Sequence, residues 1–355
     1  MKKAVFCFLV MFSVLSAIPT LSIITNPDTT DAVAANIKDP ISSEVATAIK
    51  ASTPKKTSAP DKLKKSKSSS IIYKVFNHKT NKVFEVSASD YIKGVVAAEM
   101  PASFHPEALK AQAVAANTFA VRVMALNKAA TDRSLKGAYF STDPAKFQAY
   151  KSIPELKLVY KNSFDDAYKK ISDAVDSVID KIIVHKNKPI VAAFHSMSGG
   201  QTEDAKNVWG TETAYLKSVK SPQDKQVKNY VSSTVLSSDE VVRLLKKQFP
   251  RISFGKKKES WFKNISRFGT GSVISVKIGK TTIPGTKLRS VLGLRSTNFT
   301  VSYNKSADGF TFTTKGYGHG IGMSQHGANA LAQSGKSYKD ILTHYYTGIS
   351  IIDTD

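Results

Sequence analysis

An alanine-rich segment from Pro106 to Leu126 strongly constrains which element can occupy the core of this 355-residue chain. Pro106 and Glu107 supply the start signal of a helix, because proline is favoured in the first helical turn. Alanine has the highest helix propensity of all residues, and its small side chain lets neighbouring elements approach closely. The segment therefore predicts a long helix at the centre of the molecule.

Short β-rich runs lie on both sides of this helix. Residues 71–87 and 181–196 each predict a hairpin, with turns at the sequences HKTNK and HKNKP. Residues 221–262 are predicted to be mostly helical, whereas β-runs recur across residues 266–312. Together these patterns predict an α+β fold in which the central alanine-rich helix packs against antiparallel hairpins and sheet.

Residues 1–25 have the pattern of a signal anchor or a signal peptide. Lys2 and Lys3 precede an apolar run from Ala4 to Ile24 that is long enough to span a bilayer. The nearest A-x-A triplet lies well beyond this run, so we favour an anchor that stays uncleaved. Lysines on the N-terminal side predict a single-pass membrane protein with the bulk of the chain extracytoplasmic.

The rest of the chain divides by composition. Residues 26–70 are rich in Ser, Thr, Ala, Pro and Lys, which predicts a flexible basic linker. Residues 71–355 are expected to fold, with a helical core in 71–220 and a β-rich part with closing helices in 221–355. The formal net charge of +23 favours an anionic partner, and export argues against nucleic acid. Because the only cysteine is Cys7, the exported part has no disulfide.

Glu99 is the first candidate for chemistry. Ser89 or Asp90 is expected to cap a short helix, and Pro101 ends that helix near Glu99 by disfavouring helical geometry at Met100. A carboxylate at this end faces the negative end of the helix dipole, and its apolar neighbours cost it solvation. Both effects raise the pKa, and an acid still protonated near neutral pH can act as a general acid. The simpler alternative is a surface glutamate at a helix end.

The sequence HSMSGGQTED, residues 195–204, predicts a polar loop with many hydrogen-bond donors. Its residues His195, Ser196, Ser198 and Gly199 suit a site that holds a sugar or an oxyanion. A buried structural histidine explains His195 as well, and a solvated loop explains the two acidic residues at its end.

The sequence GYGHGIGMSQHGANALAQ, residues 316–333, places five glycines and two histidines in its first twelve residues. Glycines in such number mark turns or the close approach of a ligand. The spacing of His319 and His326 does not match H-E-x-x-H, and no adjacent acid completes a zinc site. A glycine-lined groove for a polymeric ligand fits better, and tight packing between the β-rich part and the last helices is the alternative.

Four stretches together closely resemble the stage II sporulation protein D family, which also includes modifiers of cell-wall amidases. They are YIKGVVAAEMPASFHPEALKAQAVAANTFAV, AFHSMSGGQTEDAKNVWG, TTIPGTKLRSVLGLRSTNFTV and GYGHGIGMSQHGANALAQSGKSYKDILTHYYTG. The resemblance spans roughly Ile71 to Asp355 in the family's order. It implies a lytic transglycosylase, a lyase that cleaves peptide-stripped glycan strands of peptidoglycan during septal wall thinning and engulfment in endospore formation. The implied partners are an amidase, other sporulation wall hydrolases and membrane proteins of the engulfment complex.

The resemblance also assigns residues. The family's catalytic glutamate lies in the motif G-E-M-P, which here is A-E-M-P, so the role falls to Glu99. Asn117 stands where the family usually has an arginine associated with activity, and Arg122 on the same helix is a candidate to supply that cation. Ser198 stands where some zinc-binding relatives have cysteine, so we expect no metal and no other cofactor.

The glycine-rich stretch would then form one wall of a glycan groove near the catalytic acid. Gly318 would admit the saccharide, and His319 and Gln325 would bond its hydroxyls. A rival function from another class is a non-catalytic, glycan-binding enhancer of a cell-wall amidase. Asn117 favours that rival, whereas the intact AEMP sequence favours the enzyme.

Overall fold

The computed structural model describes residues 71–129 and 132–354. The predicted anchor and linker, residues 1–25 and 26–70, lie outside the described residues. The helices are α1 Ala88–Glu99, α2 Pro106–Ala129, α3 Ile153–Tyr160, α4 Phe164–Asp176, α5 Ala205–Trp209, α6 Ser238–Gln248, α7 Gly285–Val291, α8 Gln325–Gln333 and α9 Tyr338–Tyr345. The strands are β1 Ile72–Asn77, β2 Lys82–Ser87, β3 Phe140–Ser141, β4 Lys181–His185, β5 Lys188–Pro189, β6 Phe194–His195, β7 Val231–Ser237, β8 Lys263–Arg267, β9 Val273–Ile278, β10 Thr281–Pro284, β11 Phe299–Asn304, β12 Gly309–Lys315, β13 Met323–Ser324 and β14 Ser350–Asp353.

The alanine-rich helix α2 is the centre of the molecule, as its composition predicts. It packs against α1, α4, α8, α9 and β4, which surround it on several sides. Six of its alanines are buried: Ala108, Ala111, Ala113, Ala115, Ala116 and Ala120. Small side chains on several faces of one helix allow this many neighbours to approach closely, and α1 and α8, which carry Glu99 and Gln325, are among them.

Across the described residues, five small sheets complete the α+β fold. Strands β1 and β2 form the predicted hairpin, and β3 joins β1 in parallel. Strands β4 and β5 form the second predicted hairpin, with β14 on the other side of β4. Strands β6 and β13 form a two-stranded parallel ladder, and the orders β10-β9-β8 and β11-β12-β7 describe the two antiparallel sheets of the C-terminal half.

Two local predictions are wrong. Ser87, not Ser89 or Asp90, is the N-cap of α1, and its Oγ accepts a hydrogen bond from the Asp90 N–H at 3.0 Å. The segment 221–262 is not mostly helical, because β7 occupies its centre and pairs with β12. The sequence VSSTVLS of β7 alternates between exposed and half-buried residues, and this period of two is the signal of a strand.

The buried side chains form two hydrophobic clusters. The first joins the helices around α2 and includes residues of α8 and α9, so the closing helices pack on the helical core. The second lies among β7 to β12 and α6, around Trp261, Phe310 and Phe312. The division into 71–220 and 221–355 stays a proposal from composition, since the first cluster also contains residues of the closing helices. Within the described residues, the model contains no helix that combines the length and apolar character needed to cross a membrane.

Candidate active site

A cavity of about 180 Å³ opens where α1 ends and where α7, β6 and the glycine-rich stretch meet. Six residues singled out from the sequence line it: Glu99, His195, Ser196, Gly318, His319 and Gln325. These residues come from three distant stretches of the chain. The fold therefore brings together most of the candidates that the sequence analysis named separately.

Glu99 lies at the C-terminal end of α1, where Met100 takes extended geometry before Pro101 as predicted. The Ala149 N–H donates to Glu99 Oε1 at 3.1 Å, and the side chain of Gln325 is also hydrogen-bonded to the carboxyl. Burial raises the pKa of Glu99 to about 7, although both hydrogen bonds lower it. Desolvation is therefore the physical cause of an acid that holds its proton close to neutral pH.

His195 and His319 are both neutral, because burial lowers the pKa of His195 to about 4 and that of His319 to about 3. His195 Nδ1 bonds the Ile321 carbonyl oxygen at 3.1 Å, so Nδ1 carries the proton. The Ile321 N–H donates to His319 Nδ1 at 3.0 Å, and the same ring bonds the backbone of Phe194.

These contacts change the expected role of His319. Since both of its ring nitrogens are engaged with backbone, the ring carbons line the cavity, beside the Trp209 ring at a centroid distance of 5.8 Å. The expectation that His319 bonds sugar hydroxyls through its nitrogens does not fit this geometry. An apolar contact with a ligand fits it better.

Asn117 and Arg122 lie outside this cavity. The Asn117 amide donates to the carbonyl oxygens of Ile179 and Lys181 at 2.8 and 3.1 Å, and Arg122 Nη1 donates to that of Pro189 at 3.0 Å. Both side chains therefore face β4 and β5 rather than Glu99. The interpretation of Arg122 as the cation that replaces a family arginine near the acid does not fit this placement.

Ser198 and Gly199 also lie outside the cavity wall. The backbone N–H and the Oγ of Ser198 donate to Asp224 Oδ2 at 2.8 and 2.5 Å, and Ser324 Oγ donates to Asp224 Oδ1 at 2.8 Å. The Tyr230 hydroxyl donates a hydrogen bond to the carbonyl oxygen of Gly199 at 2.8 Å. These residues hold the loop at 195–204 against the glycine-rich stretch, so their contribution to the site is structural.

Replacing Asp224 with alanine is expected to destabilise the fold by about 3 kcal/mol, because three buried donors lose their acceptor. Thermal unfolding of the variant measures this as a lower midpoint. Asp165→Ala is the matched control, since Asp165 is exposed in the first turn of α4 and its loss should cost about 0.5 kcal/mol or less. Equal midpoints for the two variants would show that the Asp224 network does not hold the loop.

Other residues of the cavity lining were not predicted from the sequence; they include Phe119, Gln148, Trp209, Arg289 and Tyr317. Arg289 lies in TTIPGTKLRSVLG and Tyr317 in GYGHG, so both belong to stretches that the resemblance had marked. No periodicity or spacing shows that these particular side chains face the acid. The quoted motifs predicted which segments of the chain belong to the site, but not which side chains of those segments line the cavity.

The glycine-rich stretch is both a cavity wall and a packing surface. Gly316, Gly318, Gly320 and Gly322 all have positive φ. A Cβ on Gly318 would lie 2.7 Å from the Cβ of His195, and a Cβ on Gly322 would lie 2.0 Å from the carbonyl oxygen of Ala193. Gly318 and Gly322 thus allow close packing on the strand and loop around His195, while a Cβ on Gly327 would lie 2.1 Å from the Tyr345 hydroxyl in α9, so part of the stretch also packs on the last helices.

No group of three or more His, Cys, Asp or Glu side chains is arranged to hold a metal ion within residues 71–129 and 132–354. At Ser198, where some relatives have cysteine, the hydroxyl donates to Asp224 instead. The expectation of no metal and no other cofactor stays a prediction.

The fold and the cavity define an α+β protein whose cleft holds one half-buried carboxylic acid among neutral histidines, aromatic rings and a guanidinium. The profile of a family described as "Stage II sporulation protein" matches residues 76–185. Stage II sporulation protein D from Bacillus amyloliquefaciens is 40% identical over 293 residues, which cover 82% of this chain and 81% of that relative. The protein of the same name from Bacillus subtilis (strain 168) is 40% identical over 296 residues, 81% of each chain.

The chain belongs to the stage II sporulation protein D family, as the four motifs predicted. A protein named amidase enhancer, from Bacillus subtilis (strain 168), is 30% identical over 308 residues. That match covers 73% of this chain and 40% of the enhancer. The names of these relatives thus refer to sporulation and, in one case, to an amidase.

Proposed function

We propose that this chain is a lytic transglycosylase that cleaves peptide-stripped glycan strands of peptidoglycan, with Glu99 as acid and then as base. One observation carries the proposal. Glu99 holds its proton up to a pH of about 7 and is the only carboxyl group among the described residues that line the cavity. A reaction that needs one proton carrier matches this arrangement better than one that needs two.

In the first step the carboxylic acid of Glu99 protonates the glycosidic oxygen that links N-acetylmuramic acid to the next sugar. The bond between that oxygen and the anomeric carbon breaks, and positive charge develops on the muramyl ring. Glu99 is left as a carboxylate. Hydrogen bonds from the Ala149 N–H and the Gln325 side chain stabilise this charged form.

In the second step the Glu99 carboxylate takes the proton of the 6-hydroxyl on the same muramyl residue. The freed oxygen attacks the anomeric carbon and closes a 1,6-anhydro ring, while Glu99 regains its proton and no water is consumed. Two-carboxyl glycosidases instead separate the two groups by about 5–10 Å, so that the second can attack the sugar or activate water.

The pH dependence of turnover is expected to be one-sided. Glu99 must be protonated to begin, so kcat should fall about tenfold for each pH unit above a pKa of about 7. Below pH 7 we expect a plateau, because the base of the second step is generated by the first step. Initial rates on peptide-free strands, measured from about pH 5 to about pH 9, give this profile. A bell-shaped profile that Glu99→Gln does not alter would contradict the assignment.

The site of action is part of the same proposal. Residues 1–25 would hold the chain in the cell membrane, and residues 26–70 would let the body reach the septal wall. The net charge of +23 suits an anionic polymer outside the membrane. An amidase would supply stripped strands, and other sporulation wall hydrolases and membrane proteins of the engulfment complex would be neighbours.

A second function has specific support from the relative named amidase enhancer. In that case the cavity would bind glycan and promote the action of an amidase without cutting the strand. Asn117 in place of the family's usual arginine also favours this function. Its structural role against β4 does not restore a cation at that position.

One digestion separates the two functions. The purified protein is incubated with peptide-free glycan strands, and soluble fragments are measured over time. Fragments released by the parent but not by Glu99→Gln support the transglycosylase. Intact strands, combined with equal stimulation of an amidase by the parent and by Glu99→Gln, would show the enhancer instead.

A further inference from the structure

Two glutamine side chains connect the central helix to the carboxyl group of Glu99. Gln325, the first residue of α8, is hydrogen-bonded to that carboxyl through its side chain. The same amide donates from Nε2 to Gln112 Oε1 in α2 at 3.3 Å. Gln112 is 0% exposed and Gln325 only 6%, so both amides are shielded from water. The three side chains therefore form one hydrogen-bonded path from α2 to the acid.

This path fixes which end of the Gln325 amide faces the acid. The hydrogen bond lowers the pKa of Glu99, which is the effect of a donor on a carboxylate, so the nitrogen end faces Glu99. An amide nitrogen has two hydrogens, and the two acceptors, Glu99 and Gln112 Oε1, take one each. Turning the amide over would place Gln325 Oε1 against Gln112 Oε1, which are two acceptors with no proton between them.

The nitrogen end of the Gln112 side chain adds nothing to the stability of the fold. Gln112 Nε2 is buried and has no hydrogen-bond partner among the residues that the structure describes. An unpaired buried donor costs free energy that an apolar side chain of the same size avoids. Phe119, two turns further along the same face of α2, lines the cavity, whereas Gln112 is not among the lining residues. The contribution of Gln112 to the site therefore runs through Gln325.

We propose that Gln112 is a positioning residue, which holds the Gln325 amide so that its N–H faces Glu99 in both steps of the reaction. This inference rests on the function proposed above and adds the residue that orients a hydrogen-bond donor on its acid. When Glu99 gives up its proton, the oriented N–H is already aimed at the new negative charge. A preorganised donor of this kind stabilises the charge without reorganisation of the site.

Gln112→Met tests the proposal directly, because methionine has a similar length and volume but offers no amide oxygen. Without that acceptor, the Gln325 amide is free to turn its own oxygen toward the protonated acid. On peptide-free strands, the plateau kcat should fall about tenfold, and the descending limb of the pH profile should move up by about one pH unit. KM should keep the parent's value, and the thermal midpoint should not fall, as it would for a merely structural residue. Gln112→Leu, a second apolar replacement, should give the same result.

A double-mutant cycle shows whether Gln112 acts through Gln325. Gln325→Met removes the donor itself and should move the pH profile in the same direction as Gln112→Met. The variant with both substitutions should shift no further than Gln325→Met alone, because residues of one network are not additive. Gln201→Met is the matched control, since its Nε2 donates to Ser218 Oγ at 2.9 Å and neither residue lines the cavity. Additive shifts, or a Gln112→Met profile identical to that of the parent and of Gln201→Met, would overturn the proposal.

Direct titration of Glu99 separates a failure of this proposal from a failure of the transglycosylase function. Glutamate side-chain carboxyls are labelled with carbon-13 in the full chain, and the NMR signal of Glu99 is identified by its absence from Glu99→Gln. Its titration midpoint should rise by about one pH unit in Gln112→Met, without any need for turnover. These titratable side chains lie near the acid and are the same in every variant: Tyr91, Lys146, His195, Arg289, Tyr317 and His319.

The two failures then give different results. A midpoint that Gln112→Met leaves unchanged would overturn the positioning role, even if the parent cuts peptide-free strands. A midpoint that rises in Gln112→Met, in a chain whose parent cuts no strand, would support the positioning of Gln325 and overturn only the transglycosylase function.

Discussion

The Glu99→Gln variant should cut peptide-free glycan strands roughly a hundred to ten thousand times more slowly than the parent, the range that a lost general acid–base produces. Glutamine can accept the hydrogen bond from the Ala149 N–H but can neither give nor take the proton that both steps need. Rates of fragment release at saturating substrate measure the effect. Loss of less than about tenfold would mean that another group carries the proton.

Two controls show that this loss is chemical. Glu85→Gln removes the charge of an exposed glutamate on β2 and should keep the parent's rate.

Glu99→Gln should also be more stable than the parent above pH 7. The Glu99 pKa is raised from 4.5 to about 7 in the fold, so ionising the carboxyl costs stability as pH rises between these values. The gain should be at most about 3 kcal/mol and should vanish below about pH 4.5.

The Gly322→Ala variant should lose at least about 3 kcal/mol of stability. Gly322 has a φ of +70°, and an added Cβ would lie 2.0 Å from the backbone carbonyl oxygen of Ala193. A backbone carbonyl in the β6 region cannot move away without displacing the ladder between β6 and β13. Chemical denaturation measures the free energy of unfolding and also tests whether the cavity wall at 316–322 depends on this contact.

Gly293→Ala is the matched control for backbone strain. Gly293 has a similar φ of +65°, but an added Cβ there meets no atom within 4 Å. Its substitution should cost only the left-handed backbone penalty of about 1 kcal/mol. If both variants lost the same amount, the close approach at Ala193 would contribute nothing, and the packing explanation of the glycines would be wrong.

The sequence predicted the elements whose signals are local. Proline at 106 and the alanines after it predicted the central helix, and Pro101 predicted the end of α1 beside Glu99. Desolvation by apolar neighbours predicted the direction of the Glu99 pKa shift. Each of these rests on residues within a few positions of one another, so a single stretch contains all of the necessary information.

The sequence could not predict which face of α2 meets which neighbour. Since the helix is surrounded on several sides, no polar stripe distinguishes its faces. Asn117 was expected at the substrate site only because the resemblance puts it where the family has an arginine associated with activity. The structure places its amide on two carbonyl oxygens around β4 instead. Helical propensity predicts that a long helix forms but not how a helix buried on several sides is oriented.

Contacts across long stretches of chain were also beyond prediction. Arg289 lies far from Glu99 along the chain, and the packing of α7 against β9, β10 and α6 brings it to the same cavity. His319 was correctly placed by its motif, yet the backbone bonds of its two nitrogens follow from the ladder geometry at Ile321 and Phe194. Motifs marked the segments of the site, and the fold decided the role of each side chain.

The chemical structure of the new strand ends shows whether Glu99 works as the single carboxyl group of a transglycosylase. Peptide-free strands are digested by the parent in water enriched in oxygen-18, and the masses of the new ends are measured by mass spectrometry. We expect 1,6-anhydromuramyl ends, one water lighter than hydrolysed ends and free of label, because the oxygen that closes the ring is the sugar's own 6-hydroxyl oxygen. New reducing ends that carry the label would show that water attacks the sugar, and the single-carboxyl transglycosylase mechanism would be wrong.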